Sequence, residues 1–139
     1  MQARRFALVF GAVYVAVGIL GFIVTGFSGF AATSGDKLLL FGVNPLHNLV
    51  HVAVGAVWLL ASRKQSTARL VSALIGAVYL LVGVLGLFLA GGTSELNLLN
   101  LNHPDNLLHF ASALLALYFG LSPRRLAPPE PTRADAPLP

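Results

Sequence analysis

The sequence predicts an all-α protein whose helices cross a membrane four times. Of its 139 residues, 56% are hydrophobic and 10% are charged, whereas a soluble domain has roughly a quarter of its residues charged. The apolar residues fall into four segments, and the first of them recurs in the third. There is no cysteine, which excludes disulfides, thiolate metal sites and iron–sulfur clusters.

The four apolar segments cover residues 6–26, 45–61, 70–90 and 107–121. A helix needs about 20 apolar residues to span the hydrocarbon core of a bilayer, and the first and third segments reach that length without an internal charge. The second and fourth are shorter and begin with polar residues, so we expect those residues at the outer interface. The first segment is not interpreted as a signal peptide, because its apolar run exceeds the usual core of about 7–15 residues.

The basic residues predict the orientation, because Lys and Arg are enriched on the cytoplasmic side. If the segments alternate in direction, eight of the nine basic residues lie on one side and only Lys37 on the other. Both termini are therefore predicted to be cytoplasmic. The eight are Arg4, Arg5, Arg63, Lys64, Arg69, Arg124, Arg125 and Arg133.

The predicted membrane domain covers residues 1–122, as two repeats of about 1–62 and 63–122. The remainder, 123–139, contains six of the eight prolines. Proline removes a backbone donor and disrupts helices, so we predict a disordered cytoplasmic tail there.

The internal repeat is most evident in Gly11-Ala12-Val13-Tyr14, which recurs as Gly76-Ala77-Val78-Tyr79. The spacing predicts two helical hairpins in the same orientation, related by an axis along the membrane normal. Small residues at helical spacing let membrane helices approach closely. The predicted helix-packing glycines are Gly11, Gly18 and Gly21 in the first segment and Gly76, Gly83 and Gly86 in the third.

A second group of candidate residues is polar and lies at the outer ends of the second and fourth segments. We call it the polar cluster: Asn44, His47, Asn48, His51, Asp105, Asn106 and His109. Asn44 before Pro45 is typical of a helix N-cap followed by proline. His51 lies about 10 Å below that helix end, at 1.5 Å per residue, and the repeat predicts a similar depth for His109. Ionisable residues inside a membrane are functional candidates because they are costly there.

Three interpretations of the polar cluster remain open. The favoured one is structural, with His51 and His109 donating hydrogen bonds that hold the outer loops. The second is a metal site or a haem b ligated by His51 and His109, which would have to face each other across a flat macrocycle. The third is a proton or ion relay through His47, His51, Asp105 and His109. The tyrosines at positions 14 and 79 are expected to pair with backbone or with serines such as Ser72 and Ser112, while Trp58 and Tyr118 suit an interfacial aromatic belt.

Two stretches resemble a known family. The first runs from Gly29 to Asp36 and continues with Asn44-Pro45-Leu46-His47-Asn48-Leu49-Val50-His51, and the second is Asp105-Asn106-Leu107-Leu108-His109. They are similar to a family of small bacterial membrane proteins catalogued as domain of unknown function 4383. The resemblance covers nearly everything before residue 123. It implies a four-helix integral membrane protein and assigns no reaction.

The sequence thus predicts a non-enzymatic structural or accessory protein of the bacterial inner membrane. It shows no HExxH zinc motif, no GxSxG elbow and no P-loop. We expect no resident cofactor, with haem b as the alternative to the structural role and solute or proton transport as a second alternative. The expected partner is the lipid bilayer, self-association is left open, and the basic residues are not interpreted as a nucleic-acid surface.

Overall fold

The computed structural model describes residues 2–90 and 94–122 of the chain. It is all-α, with four helices: α1 (Gln2–Thr25), α2 (Pro45–Ala61), α3 (Gln65–Leu89) and α4 (His103–Leu121). Two short antiparallel strands, β1 (Lys37–Leu38) and β2 (Phe41–Gly42), lie between α1 and α2. The tail predicted for residues 123–139 lies outside the described residues.

Helices α1 and α3 begin several residues before the apolar segments. The polar and basic residues that precede each segment form the first turn of the helix. Helix α2 has the predicted bounds. It begins after Asn44, whose side chain accepts a hydrogen bond from the His47 amide, with Pro45 in the first turn. Helix α4 begins at His103, earlier than its apolar segment, because Asn102 and Asp105 form a reciprocal capping box at its start.

The helices pair as two hairpins, α1 with α2 and α3 with α4. Glycines allow this pairing: a Cβ added at Gly11 would lie 2.9 Å from the Gly55 carbonyl oxygen, and one at Gly76 would lie 2.9 Å from the Leu117 amide nitrogen. Helices α1 and α3 also contact each other, whereas α2 and α4 lie across the bundle. We call the end formed by residues 26–44 and 94–102 the loop end, and the end near the 62–64 linker the basic end.

Aromatic side chains fill the interior toward the basic end. Trp58 is fully buried against Phe6, Phe10 and Tyr14, with ring centroids 5.7, 6.0 and 5.1 Å from its own. Its indole nitrogen donates to the Ser72 hydroxyl at 3.2 Å. The expectation that Trp58 belongs to an interfacial belt is therefore wrong, because a facing serine satisfies its N–H inside the bundle.

The outer surface is apolar on all four helices. Exposed side chains include Ile23 on α1, Leu60 on α2, Leu85 on α3 and Leu114 on α4. Helices α1 and α3 are long and apolar enough to cross a membrane. Among the described residues, twelve polar or charged side chains are buried alongside twelve hydrophobic ones, a larger polar share than the interior of a soluble protein usually has.

Candidate functional site

All seven members of the polar cluster are buried at the loop end. Asn44, His47, Asn48 and His51 come from the start of α2, and Asp105, Asn106 and His109 from the start of α4. The two groups face each other across the bundle and are roofed by the loops 26–44 and 94–102. His103, at the first position of α4, is exposed instead.

Asn44 joins three parts of the backbone. Its oxygen accepts from the His47 amide at 2.8 Å, which caps α2. Its Nδ2 donates to the Ala32 carbonyl at 2.9 Å and to the Leu98 carbonyl at 2.8 Å. One fully buried amide thus links α2, the loop of the first hairpin and the loop of the second.

His47 and His51 form a hydrogen-bonded pair whose tautomers follow from their partners. The His47 Nδ1 lies 3.0 Å from the Gly42 carbonyl oxygen, so Nδ1 is the donor. In a neutral ring the His47 Nε2 is then an acceptor, and the His51 Nε2, 3.0 Å away, must donate to it. That leaves the His51 Nδ1 as a bare acceptor, and the structure gives this buried atom no hydrogen-bond partner.

A line of aromatic rings connects His51 to His109. The His51 and Tyr14 ring centroids lie 5.0 Å apart, those of Tyr14 and Tyr79 5.7 Å, and those of Tyr79 and His109 5.3 Å. The Tyr14 hydroxyl faces the side chains of Ser112 and Tyr79. The His109 ring also lies 6.1 Å from that of His47, and its buried Nδ1 has no hydrogen-bond partner among the described residues.

Asp105 and His47 occupy matched positions in the two hairpins, and both bind the backbone of Gly42. The Asp105 carboxylate accepts from the Gly42 amide at 3.0 Å and from the Asn102 amide at 3.0 Å, while His47 donates to the Gly42 carbonyl. Gly42 must lack a side chain, because an added Cβ would overlap the Asn100 carbonyl oxygen. The end of β2 is therefore fixed from both helices.

Asn48 and Asn106 also occupy matched positions, and each amide lies against a glycine of the neighbouring helix, Gly21 or Gly86. Their hydrogen bonding differs. Asn48 Nδ2 donates to the Thr25 hydroxyl at 2.9 Å. Both polar atoms of the Asn106 side chain are buried and have no hydrogen-bond partner among residues 2–90 and 94–122. The repeat places Ala90 of α3 at the position that Thr25 has in α1, so this position of the second hairpin carries no hydroxyl.

Two further residues of the loop end, Asn97 and Asn100, were not identified from the sequence. Asn97 holds Leu101 with both side-chain groups, at 2.9 and 2.8 Å. Asn100 donates to the Val43 carbonyl at 3.1 Å and has a left-handed backbone, φ 53°, which asparagine tolerates better than most residues. The recurrence of Asn at 97, 100 and 102 was the available signal.

Within residues 2–90 and 94–122, no group of three or more His, Cys, Asp or Glu side chains is arranged to hold a metal ion. In the site, Asn44, His47 and Asp105 bind loop backbone, and the rings of the histidines and tyrosines pack on one another.

A family model described as a domain of unknown function (DUF4383) matches residues 4–122, most of the chain. The chain belongs to this family. No curated protein and no solved structure matches it. The DUF4383 match spans both hairpins and the whole polar cluster, so the site described above lies inside the family domain. The family description names no reaction.

Proposed function

We propose that this protein is a non-enzymatic membrane bundle in which all four helices span the bacterial cytoplasmic membrane. The support is the distribution of polarity: large apolar side chains, leucine above all, are exposed on every helix, and the seven residues of the polar cluster are buried. Soluble proteins rarely expose apolar surface of this extent, whereas a lipid bilayer solvates it. Helices α2 and α4 have 17 and 19 residues, or about 25–28 Å at 1.5 Å per residue, and the loop end supplies the remaining depth.

The charges support an orientation with both termini in the cytoplasm. Arg4, Arg5, Arg63, Lys64 and Arg69 lie at the basic end, and the acidic residues of the described ranges lie toward the loop end. Because cytoplasmic loops are enriched in Lys and Arg, the basic end is placed inside and the loop end outside. On this proposal the basic residues face lipid headgroups and not nucleic acid.

Matched contacts support a protein built from two parallel hairpin repeats. Arg4 Nε donates to the Ser62 carbonyl at 2.9 Å, and Arg69 Nε donates to the Gly120 carbonyl at 3.3 Å. Each bond joins the start of one helix to the end of its partner, at equivalent positions of the two repeats. The glycine–asparagine contacts at the other end are matched in the same way.

The role proposed for the polar cluster is structural: it holds the two outer loops against the helices. The observation that supports this most strongly is Asn44, whose three hydrogen bonds join both loops to α2. His47 and Asp105 serve the same purpose at Gly42. The expectation that His51 itself holds an outer loop is wrong, because its Nε2 donates to His47 instead. A bundle so fixed offers lipids, or a further copy of itself, a rigid apolar side and a closed outer surface.

The haem alternative does not fit this arrangement. A macrocycle between His51 and His109 needs an open slot, but His47, Tyr14 and Tyr79 pack between and against these rings. The space beside the glycines is also filled, since Cβ atoms added at Gly18 and Gly83 would lie 2.7 Å from the Asn48 carbonyl oxygen and 3.0 Å from the Phe110 ring. A relay is likewise disfavoured, because the His47 Nδ1 proton is bound to a loop carbonyl.

The test is hydrogen exchange of the protein in lipid nanodiscs. Asp105→Ala should speed exchange of the Gly42 amide by about tenfold or more, because a hydrogen bond to a charged group contributes roughly 1.5–3 kcal/mol. His103→Ala, an exposed change two residues earlier on the same helix, should leave it unchanged. Unaltered exchange around Gly42 in Asp105→Ala would contradict the structural role, and a haem absorption band in the purified wild type would favour the alternative.

A further inference from the structure

A groove opens at the basic end, between the first turns of α3 and the last turn of α4. Its volume is about 280 Å³, and it is lined by Ser66, Arg69, Leu70, Ala73, Gly120 and Leu121. The floor is formed where the helices touch, since a Cβ added at Gly120 would lie 2.5 Å from the Ala73 amide nitrogen. The exposed side chains of Leu70 and Leu121 form its rim, so it opens sideways onto the apolar surface of the bundle.

Arg69 gives the groove its charge. Its Nε is fixed by the Gly120 carbonyl at 3.3 Å, which leaves the two terminal nitrogens of the guanidinium for another acceptor. The acidic residues of the described ranges, Asp36, Glu95 and Asp105, belong to the loop end. A guanidinium binds a phosphate through two parallel hydrogen bonds, and the Ser66 hydroxyl on the same helix face can add a third.

The first hairpin provides a comparison. Arg4 makes the equivalent bond to Ser62, but there Gln65 also lies beside it and accepts from the Arg4 amide at 3.4 Å. The described residues of the second hairpin place no such side chain beside Arg69. The groove described here lies in the second hairpin, and the arginine that borders it has an equivalent, Arg4, in the first.

We propose that this groove binds an anionic phospholipid, with the headgroup phosphate at Arg69 and Ser66 and an acyl chain along Leu70 and Leu74. Leu74 lies one turn beyond Leu70 and is likewise exposed, so the apolar path continues from the rim into the depth of the bilayer. The basic end carries positive charge with no acidic residue from the described ranges beside it. This charge selects anionic over zwitterionic headgroups, since each basic residue near a membrane surface contributes about 1 kcal/mol to attraction of anionic lipid. The proposal rests on the membrane location argued above.

The test measures the lipids that remain bound to the full chain. The protein is reconstituted into equal amounts of phosphatidylglycerol and phosphatidylcholine, extracted in mild detergent, and analysed by native mass spectrometry. The wild type should retain phosphatidylglycerol preferentially, and added inorganic phosphate should not displace it. Displacement by inorganic phosphate would show a simple anion site and overturn the assignment to lipid.

Two matched pairs of variants locate the site. Ser66→Asp places a negative charge in the groove and should lower phosphatidylglycerol retention by about fivefold or more. Thr67→Asp adds the same charge in the same turn but outside the groove, so it should lower retention clearly less. An acidic residue in the first turn of a helix favours folding, so loss of lipid in Ser66→Asp would not reflect unfolding. Arg69→Gln should lose the preference and Arg4→Gln should keep it.

The outcomes separate the two proposals. A chain recovered in the soluble fraction would contradict the membrane bundle itself. A chain recovered in membranes that retains both lipids equally, or whose preference falls as much in Thr67→Asp as in Ser66→Asp, would overturn only the lipid site. A preference that appears only when residues 123–139 are deleted would assign the groove to the chain's own tail.

Discussion

Asn48 and Asn106 allow the hydrogen bonding of the two hairpins to be compared directly. Both side chains are buried against a glycine, but Asn48 donates to Thr25, whereas Asn106 has no partner within the described part of the chain. Asn48→Ala removes a hydrogen bond that contributes about 0.5–1.5 kcal/mol and should destabilise the protein. Asn106→Ala removes an unsatisfied amide whose burial costs roughly 1–3 kcal/mol; the cavity it leaves offsets part of that gain, so stability should be unchanged or should rise.

The measurement is equilibrium unfolding in mild detergent, followed by the fluorescence of Trp58. This is the only tryptophan of the chain and it is fully buried, so its emission reports loss of the interior. The two variants delete the same atoms at matched positions, and each serves as the control for the other. Equal destabilisation by both changes, or a larger loss in Asn106→Ala, would refute the reasoning, because Asn106 would then have a partner in solution.

Two further predictions concern the loop end. Asn44→Asp keeps the oxygen that caps α2 but loses both hydrogen bonds to loop carbonyls. It should therefore lower the free energy of unfolding by about 2–4 kcal/mol. Asn102→Asp, at the matched cap, loses one exposed hydrogen bond and should lower it by less than about 1 kcal/mol. In thermal unfolding in detergent, His51→Ala and His109→Ala should be less stable than wild type, because their buried rings pack against Tyr14 and Tyr79. His103→Ala should be close to wild type, because the His103 side chain is exposed. These assignments would be contradicted if His103→Ala were the least stable of the three histidine variants. They would also be contradicted if Asn102→Asp lowered the free energy of unfolding as much as Asn44→Asp.

The four-helix fold could be predicted because its causes are local in the sequence. Runs of apolar residues define the helices, and Asn44 followed by Pro45 fixes the start of α2 to the residue. The start of α4 was placed too late, because its first turn is polar and the capping box of Asn102 and Asp105 outweighs the absence of apolar residues there.

The members of the candidate site could also be predicted, but not their partners. Buried histidines and asparagines stand out in an apolar sequence. Their hydrogen-bond partners are distant in the sequence, as for Asn44 with Leu98 and Asp105 with Gly42. The spacing of residues along one helix does not predict such contacts. Trp58 was misplaced for the same reason, since its partner Ser72 lies on another helix.

The central claim is that four helices cross the membrane with the loop end outside, and cysteine accessibility tests it most directly. The chain has no cysteine, so a single one introduced at exposed Ser34 or exposed Thr67 is the only target of an impermeant thiol reagent. In intact cells, with the outer membrane permeabilised where there is one, Ser34→Cys should be labelled, and Thr67→Cys only after the cytoplasmic membrane is opened. Labelling of Thr67→Cys in intact cells, with Ser34→Cys protected, would contradict the account.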